Sequence, residues 1–177
     1  VLGGGYSARL NLEIRIKRGL SYGAGSRLTA DRTTGSFRAA VQTKNESAPQ
    51  VLDLIEEQMS SLASAPAAPD ELTARKSSLV GSFGRNLATT GGLADILGNL
   101  AVYGVPLDEI GRYTGKVEAV RAGEVQTFAA RVLNPAKASV IVAGDAKAFA
   151  PALKTSRPDL EEIPVDQLDL DSPTLRK

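Results

Sequence analysis

The chain contains no histidine and no cysteine in 177 residues, and each absence removes a class of chemistry. Without cysteine there is no disulfide framework, no thiol nucleophile and no thiolate metal site. Without histidine a Ser-His-Asp triad is excluded. A catalytic zinc site normally draws two or more ligands from histidine, so this chain is expected to carry no metal of its own. The missing cysteines leave the compartment open, since bacterial periplasmic and cytosolic proteins can both lack them. Charge of one sign is also scarce: Lys plus Arg number 21 against 20 Asp plus Glu, a formal net charge of +1. With no basic run interleaved with aromatics, nothing points to a nucleic-acid partner. No apolar run approaches the length of a membrane span, and the N-terminus lacks a signal-peptide layout. It opens on Val1-Leu2-Gly3 without a methionine, which reads as a fragment whose upstream part is missing.

What is present suffices for one ordinary domain, with 42% hydrophobic residues and enough chain to bury a core. From Ser7 to Arg18 two periods compete. Leu10, Leu12, Ile14 and Ile16 alternate with Asn11, Glu13 and Arg15, the pattern of a strand. Arg9, Glu13 and Lys17 form an i,i+4 charge ladder and Leu10 pairs with Ile14, the pattern of a helix. On that helix Leu12 and Ile16 would form a second apolar strip, so it would be sandwiched.

After Gly19, a helix stop, Leu20–Asp31 reads as a strand. Asp31-Arg32-Thr33-Thr34-Gly35 turns the chain into a second strand, Ser36–Thr43, where Phe37, Ala39 and Val41 alternate with polar residues. Val51, Leu54, Ile55, Met59 and Leu62 mark an amphipathic helix over Ala48–Ser64. Asp70 is the expected cap of a helix running to about Thr89. Thr89-Thr90-Gly91-Gly92 is a helix break before Leu93–Tyr103. Helices to about Val117 and over Ala122–Leu133 follow. Ala138–Ala143 is an apolar β-branched run expected to be a buried strand in the same sheet. The chain thus divides into a domain over 1–155 and an irregular tail over 156–177. In that tail Asp159, Glu161 and Glu162 lack calcium-ligand spacing.

The Gly3-Gly4-Gly5 cluster lacks both the Lys-Ser/Thr of a phosphate loop and the spacing of a dinucleotide fingerprint. It precedes Arg15 and Tyr22, which lie seven residues apart. The stretch Leu2-Gly3-Gly4-Gly5-Tyr6-Ser7-Ala8-Arg9-Leu10, then Arg15, then Gly19-Leu20-Ser21-Tyr22, resembles the C-terminal, non-zinc domain of the insulinase, pitrilysin and mitochondrial processing peptidase superfamily. The likeness is nearest to its bacterial processing-peptidase-like members. Tyr103-Gly104-Val105-Pro106-Leu107-Asp108-Glu109 resembles a turn of that family, and Ala138 to Asp145 its last strand and Gly-Asp ending. The motifs occur in the family's order.

The resemblance implies a helix over Ser7–Arg18. It implies an α+β fold, with an antiparallel-dominated sheet carrying helices on one face and with the N-terminal strands missing. It also implies a role: the non-catalytic half of a zinc metallopeptidase, with zinc on a sister domain or subunit and a peptide as substrate. Tyr22 would then face the transition state, Arg15 would hold the substrate, and Gly3, Gly4 and Gly5 would line the binding loop. Two alternatives stay open: a catalytically dead structural or assembly subunit of the same fold, and a peptide-binding module. A chain lacking the first strands would also leave an edge uncovered, so self-association is expected, unless Leu168 and Leu170 of the tail plug the gap.

Overall fold

A computed structural model describes all residues, Val1–Lys177. Its only sheet is an antiparallel hairpin of β1 (Ser21–Ala30) and β2 (Gly35–Thr43). Ala24 stands opposite Val41, Ser26 opposite Ala39 and Leu28 opposite Phe37 on the face turned toward the core. The other face carries Gly25 opposite Ala40, Arg27 opposite Arg38 and Thr29 opposite Ser36. The fold is α+β, as the residue patterns imply.

Against the inner face lie a π-helix, Asn11–Ile16, and helix α1, Ala48–Ser64. The competing periods upstream of Gly19 therefore resolve in favour of helix, but in a wider winding: Lys17 N–H bonds the carbonyl of Leu12, five residues back, at 2.9 Å. Leu10 and Ile14 are fully buried, whereas Ile16 is exposed. The helix is thus anchored along one strip rather than sandwiched: Ile16 of the second strip stays exposed beside Lys17 and Arg18, each of which bonds Glu13.

Helix α1 supplies the centre of the core. Val51, Leu54, Met59 and Leu62 pack with Leu2, Leu10, Ile14, Ala24, Ala67 and two residues of the following segment, Ala129 and Leu133. Its opposite side offers Leu52 to Phe149, Ala150 and Leu153. Those three belong to a helix over Ala146–Ser156 that the residue pattern does not announce. Between lie α2 (Pro69–Leu87), α3 (Thr90–Tyr103), α4 (Glu109–Ala119) and α5 (Ala122–Val132), with Ala146–Ser156 as α6. Helices α2 to α4 bury no residue completely. The Phe83 and Tyr113 rings, 4.2 Å apart, join α2 to α4.

Three expectations need correction. Asp70 does not cap α2: the cap position is Ala68, with Pro69 entering the first turn, where its missing N–H costs nothing. The helical run does break at Thr89, but α3 starts at Thr90 and not at Leu93, because Thr89 caps it by accepting from Gly92 N–H at 3.1 Å. Ala138–Ala143 is not a strand and does not join the sheet. A strand needs a partner edge, and this run is fastened instead through Val142 to the α1–α6 contact, leaving Ile141 82% exposed. Its Gly144-Asp145 ending has a physical reason. A Cβ at Gly144 would lie 2.5 Å from Asn45 Oδ1, and Asp145 caps α6 by accepting from Lys147 N–H.

The tail beyond Ser156 is irregular but tied down. It contains a 3-10 turn, Val165–Gln167, and a bridge from Leu168 to Arg176. Glu162 pairs with Lys154 at 2.6 Å and Glu161 with Arg176 at 3.2 Å. Leu160 packs on the α6 cluster, but Leu170 is exposed and plugs nothing.

Candidate functional site

The glycine loop, the π-helix and the first turn of β1 meet through one buried polar side chain. Asn11 donates from Nδ2 to the Tyr6 carbonyl oxygen at 2.7 Å and accepts at Oδ1 from Ala24 N–H at 3.4 Å. It is the only buried polar side chain in the molecule, and both ends of its amide are satisfied, as burial requires. Its signal in the sequence is an amide between Leu10 and Leu12, in a stretch otherwise alternating leucine and isoleucine with charge.

Each glycine of the loop does something different. Gly3 is buried against β1, where its carbonyl accepts from Ser26 N–H at 3.0 Å. A Cβ there would meet that same nitrogen at 2.2 Å. Gly5 adopts φ +145, and a Cβ would strike the Arg75 guanidinium. Gly4 is unencumbered: a Cβ there would meet nothing within 4 Å. Arg75 donates to the Gly4 carbonyl and, at 3.2 Å, to Ser7 Oγ. One turn earlier on α2, Glu71 receives a two-pronged bond from Arg9 at 2.8 and 3.0 Å. Helix α2 therefore grips the loop on both sides.

Tyr22 sits in a break in the hairpin register. Ser21 pairs with Thr43 and Ala24 with Val41, so Tyr22 and Gly23 together oppose the single residue Gln42. Strict alternation would put Tyr22 on the inner face with Ala24; the extra residue releases it. Ser21 Oγ holds the bulge, accepting from Gly23 N–H at 3.0 Å and lying 2.7 Å from the carbonyl oxygens of Gly23 and Gln42. The ring is 98% exposed. Together with Ser21, Gly23, Arg38, Ala40, Val41 and Gln42 it lines an open hollow of about 440 Å³.

Arg15 is exposed in the last turn of the π-helix. It has no carboxylate partner and lies over the Tyr6 ring, 5.2 Å from its centre. Below it, Glu13 binds Lys17 at 2.5 Å and Arg18 at 2.6 Å. These two hydrogen bonds hold the Glu13 carboxyl below the usual glutamate range. They close the turn at Gly19, whose φ of +64 redirects the chain into β1. The structure thus connects Arg15 to the glycine loop through Tyr6, and Tyr22 to the same loop through Asn11. Tyr6, Asn11 and Arg75 are not apparent as site residues in the sequence.

Three comparisons bear on this arrangement. The sequence profile of the peptidase M16 inactive domain matches residues 1–79, which hold the glycine loop, the π-helix, the hairpin, α1 and half of α2. A solved structure of a peptidase M16 inactive domain from Pseudomonas fluorescens is 28% identical, with a TM-score of 0.69 over 76% of this chain. Residues 1–79 thus match the peptidase M16 inactive domain, and a fold like that domain's extends over 76% of the chain.

Two more distant structures share the fold: a conserved protein from Enterococcus faecalis (21% identity, TM-score 0.64, 73% of this chain) and a protease from Helicobacter pylori (18%, 0.62, 76%). The chain spans about a third of the length of these solved structures, covering 32%, 30% and 32% of them. No curated protein matches it. Zinc, which a likeness to that family implies for a catalytic partner, does not fit the residues of this chain. It has no histidine or cysteine, and no three acidic side chains gather into a set that could hold a metal.

Proposed function

We propose that this chain is the substrate-facing, non-catalytic half of a zinc-dependent metallopeptidase, with the metal on a sister domain or subunit. The observation that carries this reading is Tyr22. A tyrosine kept for packing would be covered; this one stands 98% exposed on a pinned bulge, at the mouth of a hollow, and its hydroxyl bonds nothing in the chain.

Such a hydroxyl is a neutral donor on a stiff ring. When water adds to a peptide carbonyl, negative charge builds on the former carbonyl oxygen. A donor waiting there lowers the barrier because it need not reorganise. Arg15 offers a planar fork of donors without a competing carboxylate, suited to a substrate carbonyl or carboxylate. Of the three glycines, Gly4 and Gly5 face outward and can approach a peptide backbone, whereas Gly3 is occupied by β1.

The test is made in the complete enzyme, with its zinc-bearing half. Tyr22→Phe should lower kcat by on the order of ten- to a thousandfold, the scale for losing one oxyanion donor. Arg15→Ala should raise KM as well, because it removes positioning. Wild-type kinetics in both variants would sink the proposed roles and leave a structural subunit as the better reading.

A further inference from the structure

The outer face of the hairpin carries a charge arrangement that the Tyr22 hydroxyl does not explain. Arg27 and Arg38 are directly opposed in the β1–β2 register, so both side chains leave the same face, and both are exposed. Like charges in that position destabilise a sheet. No carboxylate relieves them: neither strand contains an acidic residue, and the ion pairs of the molecule all lie elsewhere. Between this pair and the Tyr22 bulge runs the directly opposed pair Gly25 and Ala40, which leaves the sheet surface nearly bare. Arg38, Ala40, Gln42 and Tyr22 line one continuous hollow of about 440 Å³. The face is therefore a trough with Tyr22 at one end and Arg38 at the other, and the register sets the unpaired Arg27 directly across from Arg38.

We propose that this trough selects an extended peptide by an acidic side chain, Asp or Glu, seated between Arg27 and Arg38. The proposal rests on the peptide-binding role of Tyr22 given above and adds the class of substrate. A guanidinium fork matches a carboxylate in two-pronged fashion, and an incoming carboxylate would cancel the repulsion that the empty face bears. Arg38 and Gln42 are four residues apart on an extended strand that rises about 3.4 Å per residue. The favoured acidic side chain therefore lies about four positions from the peptide bond presented to Tyr22.

Calorimetric titration of the full-length protein with a short extended peptide bearing one Glu, and with its Glu→Gln twin, tests this. The wild type should bind the Glu peptide about tenfold or more tightly than the twin, and added salt should narrow the gap. The double variant R27Q/R38Q should bind both peptides alike. Its unfolding midpoint should equal or exceed that of the wild type, since a repulsive pair has gone. Equal affinity for the two peptides in the wild type, with binding lost in Tyr22→Ala, would overturn the acidic preference and leave peptide binding standing. A Glu preference that survives in R27Q/R38Q would also overturn it. If neither peptide bound, both the preference and the reading beneath it would fall.

Discussion

Asn11 and Tyr6 are joined by a 2.7 Å hydrogen bond from the buried side-chain amide to the backbone carbonyl oxygen, and the same side chain reaches the Ala24 amide of β1. One residue thus sets the height of the glycine loop relative to the strand that carries Tyr22. Asn11→Leu keeps the volume but leaves two buried backbone groups without partners, at a cost of about 1–3 kcal/mol. Chemical denaturation should show that loss. Asn11→Asp should be no better, because a carboxylate cannot donate to the Tyr6 carbonyl oxygen. Stability equal to wild type in both variants would show that the bond holds nothing.

The loop glycines should separate cleanly on substitution by alanine. Gly3→Ala drives a methyl group into the Ser26 backbone nitrogen and should destabilise the chain by about 1–3 kcal/mol or more, the range for overpacking. Gly5→Ala meets both a positive φ and the flexible end of Arg75, so a loss on the order of 1 kcal/mol is expected. Gly4→Ala should lie within about 0.5 kcal/mol of wild type. Thermal melts of the three variants check the order; a Gly4 variant as damaged as Gly3 would contradict it.

Glu13 makes the turn before β1 sensitive to acid. Its carboxyl is held below the ordinary value of 4.5 by bonds from Lys17 and then Arg18. A lowered folded value means that its contribution is complete above the ordinary value and disappears as pH falls through the lower, folded one. Wild-type stability should therefore drop below about pH 4.5 more steeply than that of Glu13→Gln. Denaturation midpoints across that interval measure it, and parallel curves would argue against the link.

The purified chain should take up no stoichiometric zinc, since it lacks the nitrogen and sulfur ligands such sites use. Metal analysis after dialysis against zinc would expose a tightly bound equivalent if that argument were wrong.

The exposed run ending at Ala143 should promote self-association. It is uncharged and β-branched over Val140, Ile141 and Val142, with no strand to bond, the properties of a pairing edge. Light scattering should show assembly growing with protein concentration, and Ile141→Lys should suppress it. A wild type that stays monomeric throughout would place the run outside any such contact.

The hairpin and α1 were legible in the residues because each has one period and one apolar face. Phe37, Ala39 and Val41 point inward as alternation demands, and Val51, Leu54, Met59 and Leu62 fall on a single stripe. Tyr22 was legible as a position but not in its orientation, which depends on a bulge fixed by the Ser21 hydroxyl. Helix α6 was hidden by Pro151 in its interior, a residue that ordinarily argues against a helix. Ala138–Ala143 misled for the opposite reason: its composition suits a strand, but a strand is a relation between two segments and only one is at hand. Arg75 gave no local signal, since its partners lie about seventy residues earlier in the chain.

The wide winding of Asn11–Ile16 makes this segment tolerant of one particular change in length. An ordinary helix advances about 100° per residue, and a turn closed five residues back holds about one residue more than an ordinary turn. Were one residue lost from the outer surface of the segment and the winding relaxed to the ordinary form, Leu10 and the chain beyond Ile16 would keep nearly their present angles. An added residue has no such relief and would swing everything after it by roughly 100°. Among descendants of this sequence, single deletions between Leu10 and Gly19 should therefore outnumber insertions.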